Sequence, residues 1–282
     1  MEDEHIMETI GMTRVIIRDG KVVSVDTPKL TFCPLFYKYR DMHVIDSDTV
    51  RKNIEQRISE YGLFTERRDL SQGTFVGFGT SEIFMSALKR GTLDAVVSAC
   101  DGAGTVITAS PELVQGIGAR LSGLVKTSPI PAVIERLEAL GAAVLDPDHA
   151  SIEQVAGVRR AFEMGFGRVG VTLVDPAEAR ACKSIASGSQ ETVTFLVHTT
   201  GLRCTADTAR WCDLVTACAS RDIREHVSKR ALLQAGKSIP IYAMTSRGKE
   251  LLLDRAKDVT RPMVIYPSPL PALQGDQPEP LL

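Results

Sequence analysis

The chain has 282 residues, 44% of them hydrophobic and 24% charged, which suits one large α/β domain or two small ones and excludes a disordered polymer. Its 33 basic and 35 acidic residues leave a formal charge of −2, and aromatic residues make up only 5%, so no basic face or base-stacking platform for nucleic acid is expected. The acidic start MEDEHIMETIG has no apolar signal core and no stretch approaches the ~18 uninterrupted apolar residues of a membrane helix, which predicts a cytoplasmic protein with no membrane contact.

Residues 1–72 read as an N-terminal extension. The segment TRVIIRDGKVVSV (13–25) places two β-branched runs around Asp19-Gly20, a type I′ hairpin signal. An aromatic stretch around Cys33-Pro34 follows. Asp46 or Ser47 is placed to cap a helix running to Tyr61, with Val50, Ile54 and Ile58 on one face and Gly62 as its stop.

From residue 73 to 260 short apolar runs alternate with helical segments, a repeated β/α core. Strands are expected at 74–78, 94–99, 121–125, 142–145, 168–174, 192–198, 213–217 and 238–244. Helices are expected at 130–140, 151–164, 222–235 and 247–257. Because the strands are apolar throughout, both sheet faces should be covered. The expected fold is therefore α/β, a mostly parallel doubly wound sheet in αβα layers with an N-terminal hairpin and helix extension. A (β/α)₈-like barrel is the alternative, since eight strand–helix units fit it by count. Six prolines fall in residues 261–282, a tail that cannot be helical.

In either architecture ligands gather at the carboxyl ends of the strands. CDGAG (100–104) is the most distinctive segment there: Cys100 is a candidate nucleophile or soft metal ligand, Asp101 a base, and Gly102 and Gly104 let backbone N–H groups face an anion. His198 ends another strand and is a candidate general base. Cys100, His198 and Cys218 together are a candidate site for a metal ion or cluster. Thr80-Ser81 and Ser246-Arg247 open helices and are candidate anion sites. Cys33 is either packed or a contribution of the extension to the site. No GxxxxGK[ST], HExxH, GxSxG or CxxC pattern occurs, and Gly116-Ile117-Gly118 lacks its third glycine and a preceding strand, so no nucleotide cofactor is expected.

CPLFYKYR, CDGAGTV, PELVQGIGARLSGLVKTSPIP, VLDP and EQVAGV resemble the methanogenesis marker protein 8 family over most of the chain. The resemblance implies an archaeal cytoplasmic protein whose occurrence tracks methane formation, with methanogenesis proteins as partners and a role near methyl-coenzyme M reductase, its nickel cofactor or its activation. It transfers no residue roles. Two functions compete: an enzyme or maturation factor holding a small anionic or metal-containing ligand at the strand ends, and a noncatalytic assembly protein using its hairpin edge and Pro-rich tail. A homo-oligomer is compatible with either.

Overall fold

The computed structural model describes residues 3–74, 76–272 and 275–282. The chain begins with a strand absent from the sequence reading, β1 (His5–Thr9), followed by β2 (Thr13–Arg18) and β3 (Lys21–Val25). The β2–β3 hairpin turns at Asp19 (φ 48°) and Gly20 (φ 66°), the paired positive φ values that Asp-Gly predicts. After α1 (Pro34–Arg40) comes α2 (Ser47–Tyr61), capped as expected by Asp46. The Thr49 amide donates to Asp46 Oδ1 at 2.8 Å and the Asp46 amide donates to Thr49 Oγ1 at 2.9 Å. The helix stops at Gly62, whose φ is 64° and where a Cβ would meet the Arg67 carbonyl oxygen at 2.3 Å. Its apolar face, Val50, Ile54 and Ile58, packs on Val15, Ile17 and Val22 of the hairpin.

The remaining elements run in order as α3 (Thr80–Lys89), β4 (Ala95–Cys100), β5 (Gly104–Thr108), α4 (Pro111–Gly118), β6 (Gly123–Lys126), α5 (Pro131–Ala139) and β7 (Ala143–Val144). Then follow α6 (Gln154–Glu163), β8 (Arg168–Leu173), α7 (Pro176–Ile185), β9 (Glu191–Leu196), β10 (Leu214–Thr216), α8 (Arg221–Glu225), β11 (Leu233–Ala235), β12 (Ile241–Ala243) and α9 (Ser246–Ala256). Among the described residues all of these strands except β6 build one open eight-stranded sheet, ordered β11-β12-β10-β9-β8-β4-β5-β7, so the barrel alternative is excluded. The centre, β10-β9-β8-β4, is parallel. β5 and β12 oppose it, while β7 and β11, antiparallel to those two, regain the common direction.

Alternate residues feed two cores. Val97, Val171, Leu196 and Val215 pack with α6, α7 and α8 on one face. Val96, Phe195, Leu214 and Ala243 pack with α3 and α9 on the other. These are the αβα layers that the uniformly apolar strands predict.

Three expectations change. The run at 121–125 becomes β6, but it leaves the large sheet and pairs with β1, completing a small sheet ordered β3-β2-β1-β6. The helix expected at 222–235 ends at Glu225, and 233–235 turns back as β11 against β12, because Gly236 (φ 78°) supplies a hairpin turn. The strand expected at 74–78 includes Phe75, outside the described residues, and the flanking residues 74 and 76–78 carry no strand.

The tail is not loose along its length. Phe32 and Glu279 form an isolated antiparallel bridge, the Leu282 amide donates to the Ala219 carbonyl at 2.9 Å, and the Arg221 amide donates to the Leu282 carbonyl at 2.7 Å. No helix among the described residues is long and apolar enough to cross a membrane.

Candidate functional site

Parallel pairing brings the carboxyl ends of β4, β8, β9 and β10 to one edge. Val97 pairs with Val171, Leu173 with Leu196, and Leu196 with Val215. Cys100 and His198 therefore leave the sheet on the same edge with only β8 between their strands, about 10 Å at two strand spacings. His198 and Cys218 follow adjacent strands, and both take the left-handed region, at φ 55° and φ 39°. Non-glycine residues reach that region at a cost and are held there by their surroundings. Here the two loops are tied together. Thr199 Oγ1 donates to the Thr216 carbonyl at 2.8 Å, and the Ala219 amide donates to Thr200 Oγ1 at 3.2 Å.

The small sheet covers much of this edge. Gly102 (φ 79°) and Gly104 (φ 68°) make CDGAG the turn of the β4–β5 hairpin, and a Cβ at Gly104 would meet the Ala150 carbonyl oxygen at 2.2 Å. Asp101 is fully buried and accepts from Arg68 Nε at 2.8 Å and from the Phe64 amide at 2.7 Å. Arg68, also fully buried, donates onward to the Gly116 and Ile117 carbonyls at 3.2 and 3.0 Å. The Gly102 amide donates to Thr127 Oγ1 at 2.7 Å, and Thr127 Oγ1 lies 2.7 Å from His5 Nδ1. His5 Nε2 stands 2.9 Å from Asp3 Oδ1. Cys100 has no exposed surface, and burial, with Asp101 beside it, pushes its thiol up to about 12. This hub joins the two sheets. A thiol so placed stays protonated at neutral pH, and each Asp101 oxygen already holds a donor.

His198 presses its ring against β6: a Cβ at Gly123 would stand 3.1 Å from His198 Nδ1. Burial pushes the imidazole down to about 4, so it is neutral at physiological pH. No group of three or more His, Cys, Asp or Glu residues among the described residues is arranged to hold a metal ion, so Cys100, His198 and Cys218 are not brought together as one.

The candidate anion positions separate. Ser246 and Arg247 follow β12, which runs against the parallel strands, so they lie on the opposite edge. There Arg247 Nη2 donates to the Thr92 carbonyl at 2.7 Å and stands 3.1 Å from Glu191. Thr80 and Ser81 begin α3, but Glu82 folds back over Gly79. Its Oε1 accepts from the Val76 amide at 3.2 Å and its Oε2 from Ser81 Oγ at 3.3 Å. The position an anion would take at that helix start is filled by a carboxylate of the chain itself.

On the carboxyl edge a cleft of about 400 Å³ opens between the loops after β9 and β10. Lys29, Arg203, Arg221 and Asp222 supply its charges, and Met12, Leu202, Leu281 and Leu282 its apolar walls. Asp222 Oδ2 accepts from the Cys204 amide at 3.1 Å, and Arg221 Nη2 donates to the Leu281 carbonyl at 2.9 Å. Lys29, Arg203 and Arg221 outnumber Asp222, so the side chains lining the cleft carry an excess of positive charge. Arg221 lies three residues beyond Cys218, where the loop after β10 meets α8, but Lys29 and Arg203 carry no motif, and only the docking of the small sheet brings Lys29 there. His5 and Arg68 escaped the sequence reading for the same reason: their partners are 122 and 33 residues away in the chain.

The family of uncharacterized proteins conserved in archaea, DUF2099, matches residues 5–257. The uncharacterized protein MJ0054 of Methanocaldococcus jannaschii is 43% identical over 281 residues, covering 99% of this chain and 100% of that relative. The chain belongs to this archaeal family.

Proposed function

We propose that this protein binds a small anionic ligand in the cleft at the carboxyl edge of its parallel strands, as a cytoplasmic enzyme or maturation factor of methane-producing archaea. The observation that carries the reading is the cleft itself: about 400 Å³, with Lys29, Arg203 and Arg221 facing Asp222 where the β9 and β10 loops part. Its volume falls among those of small-molecule sites, and its place is where open α/β sheets hold ligands. Guanidinium groups suit phosphate, sulfonate and carboxylate alike. The methanogen relative and the marker-8-like motifs support a setting close to methyl-coenzyme M reductase or its activation.

Titration calorimetry with inorganic phosphate, ethanesulfonate and acetate tests this. Binding of at least one anion is expected, weakened about 10- to 100-fold in Arg203→Gln/Arg221→Gln, the loss of one or two charge-assisted hydrogen bonds. Heat-silent titrations with all three, or equal affinity in the variant, would reject the cleft as a binding site.

A second reading, a noncatalytic assembly protein, is favoured by one feature. Met263, Val264, Ile265 and Tyr266 are exposed at 43, 83, 71 and 62% along a segment outside any helix or strand. Such a segment is suited to adding a strand to another chain. Val264→Asp/Ile265→Asp should then release partners captured from the native host; capture that is unchanged would defeat it.

A further inference from the structure

Arg57 on α2 is 5% exposed, and no carboxylate among the described residues pairs with it. Its Nη1 donates to the Arg120 carbonyl at 3.1 Å and to Ser122 Oγ at 2.9 Å, and its guanidinium carbon stands 5.7 Å from the centre of the Phe36 ring on α1. One turn past Phe36 on α1 comes Arg40, and one turn past Arg57 on α2 comes Tyr61, on whose ring the Arg120 guanidinium rests at 4.6 Å. Three arginines from three segments of the chain are thus gathered. Burial first, then Arg40 and Arg120, pushes the Arg57 guanidinium down to about 10. Glu60 is exposed at the rim, where it accepts from Gln56 Nε2 at 2.6 Å, and Glu55 lies 3.8 Å from Arg51. Asn53, one turn before Arg57 and also 5% exposed, has its Oδ1 buried without a partner.

Both hydrogens of Arg57 Nη1 are engaged, which leaves Nε and Nη2 without acceptors among the described residues. Neither atom is sealed from solvent. These two donate in parallel along one edge of the guanidinium, the geometry that takes two oxygens of one oxyanion. A buried cation without an acid partner favours an anion beside it, and two neighbouring cations deepen that preference. Asn53 adds an acceptor, which a fully deprotonated anion cannot serve and a protonated phosphate oxygen can. We propose that the free edge of Arg57 binds a phosphate group, as the inorganic ion or on a small phosphomonoester, with Arg40 and Arg120 adding to its field. The site is built by α1, α2 and the turn between α4 and β6. It shares no residue with the cleft between the β9 and β10 loops, so either site stands if the other fails.

The test follows the side-chain Nε–H resonance of Arg57 in the isotope-labelled full chain, titrated at fixed ionic strength with inorganic phosphate and, separately, methyl phosphate. The resonance should move along a saturating curve with at least one of the two. Saturation by inorganic phosphate alone assigns the free ion, and saturation by methyl phosphate assigns the ester. The curve should be unchanged in Arg203→Gln/Arg221→Gln, which separates this site from the cleft. In Arg57→Lys, which keeps the charge and loses the fork, the Ser122 amide should need about tenfold more ligand to reach its midpoint. A wild-type Arg57 resonance that stays still in both titrations, or that moves as far with chloride as with phosphate, overturns the proposal, and neither outcome depends on a variant folding.

Discussion

At the scale of single residues, the buried ion pair and the strained histidine make separable predictions. Arg68 and Asp101 are both fully buried 2.8 Å apart, so removing one charge strands the other. Asp101→Asn should cost about 3–5 kcal/mol in chemical unfolding, with much of that loss recovered when Arg68→Met is added. If Asp101→Asn alone is neutral, the hub does not hold the two sheets together. Burial disfavours the charged form of His198 and pushes its imidazole down to about 4, against 6.5 for an ordinary histidine. The unfolded chain therefore takes up this proton first. The stabilising contribution is complete above pH 6.5 and declines as pH falls toward 4. The loss is about 3 kcal/mol at its largest. His5 shifts the same way, again chiefly through burial, and steepens the loss. His198→Asn keeps a side chain that tolerates the left-handed region and removes the titration. Its unfolding midpoint should fall less than the wild type's between pH 7 and pH 4.5. An equal fall would place the acid sensitivity elsewhere.

Elements differ in how far local chemistry specifies them. The α2 helix is specified at both ends, by the Asp46–Thr49 capping box and by Gly62, so Asp46→Ala should cost about 1 kcal/mol in urea unfolding. That signal, like the Asp-Gly hairpin and the apolar parallel strands, is carried by neighbouring residues and was legible in the sequence. β1, β5 and β11 were not. β1 exists because β2 and β6 flank it, and β11 because Gly236 turns the chain back on β12. β6 was recognised as a strand but given to the wrong sheet, since periodicity carries no address. The candidate site divides the same way. Cys100, His198 and Cys218 were legible as strand-end residues. The burial of Cys100, the reversal that carries Arg247 to the far edge and the carboxylate of Glu82 over Gly79 depend on long-range packing.

At the scale of the molecule, the small sheet and the C-terminal segment determine which part of the carboxyl edge meets solvent. Near Cys100 the edge is closed by the Asp101 hub; near the ends of β9 and β10 it opens into the basic cleft. The most direct test is hydrogen exchange of the full chain with and without a saturating anion from the calorimetric panel. The account predicts slower exchange in the loops 199–203 and 219–224 and unchanged exchange around Ser246 and Arg247 on the opposite edge. Protection that arises at the opposite edge, with none in those two loops, would contradict it.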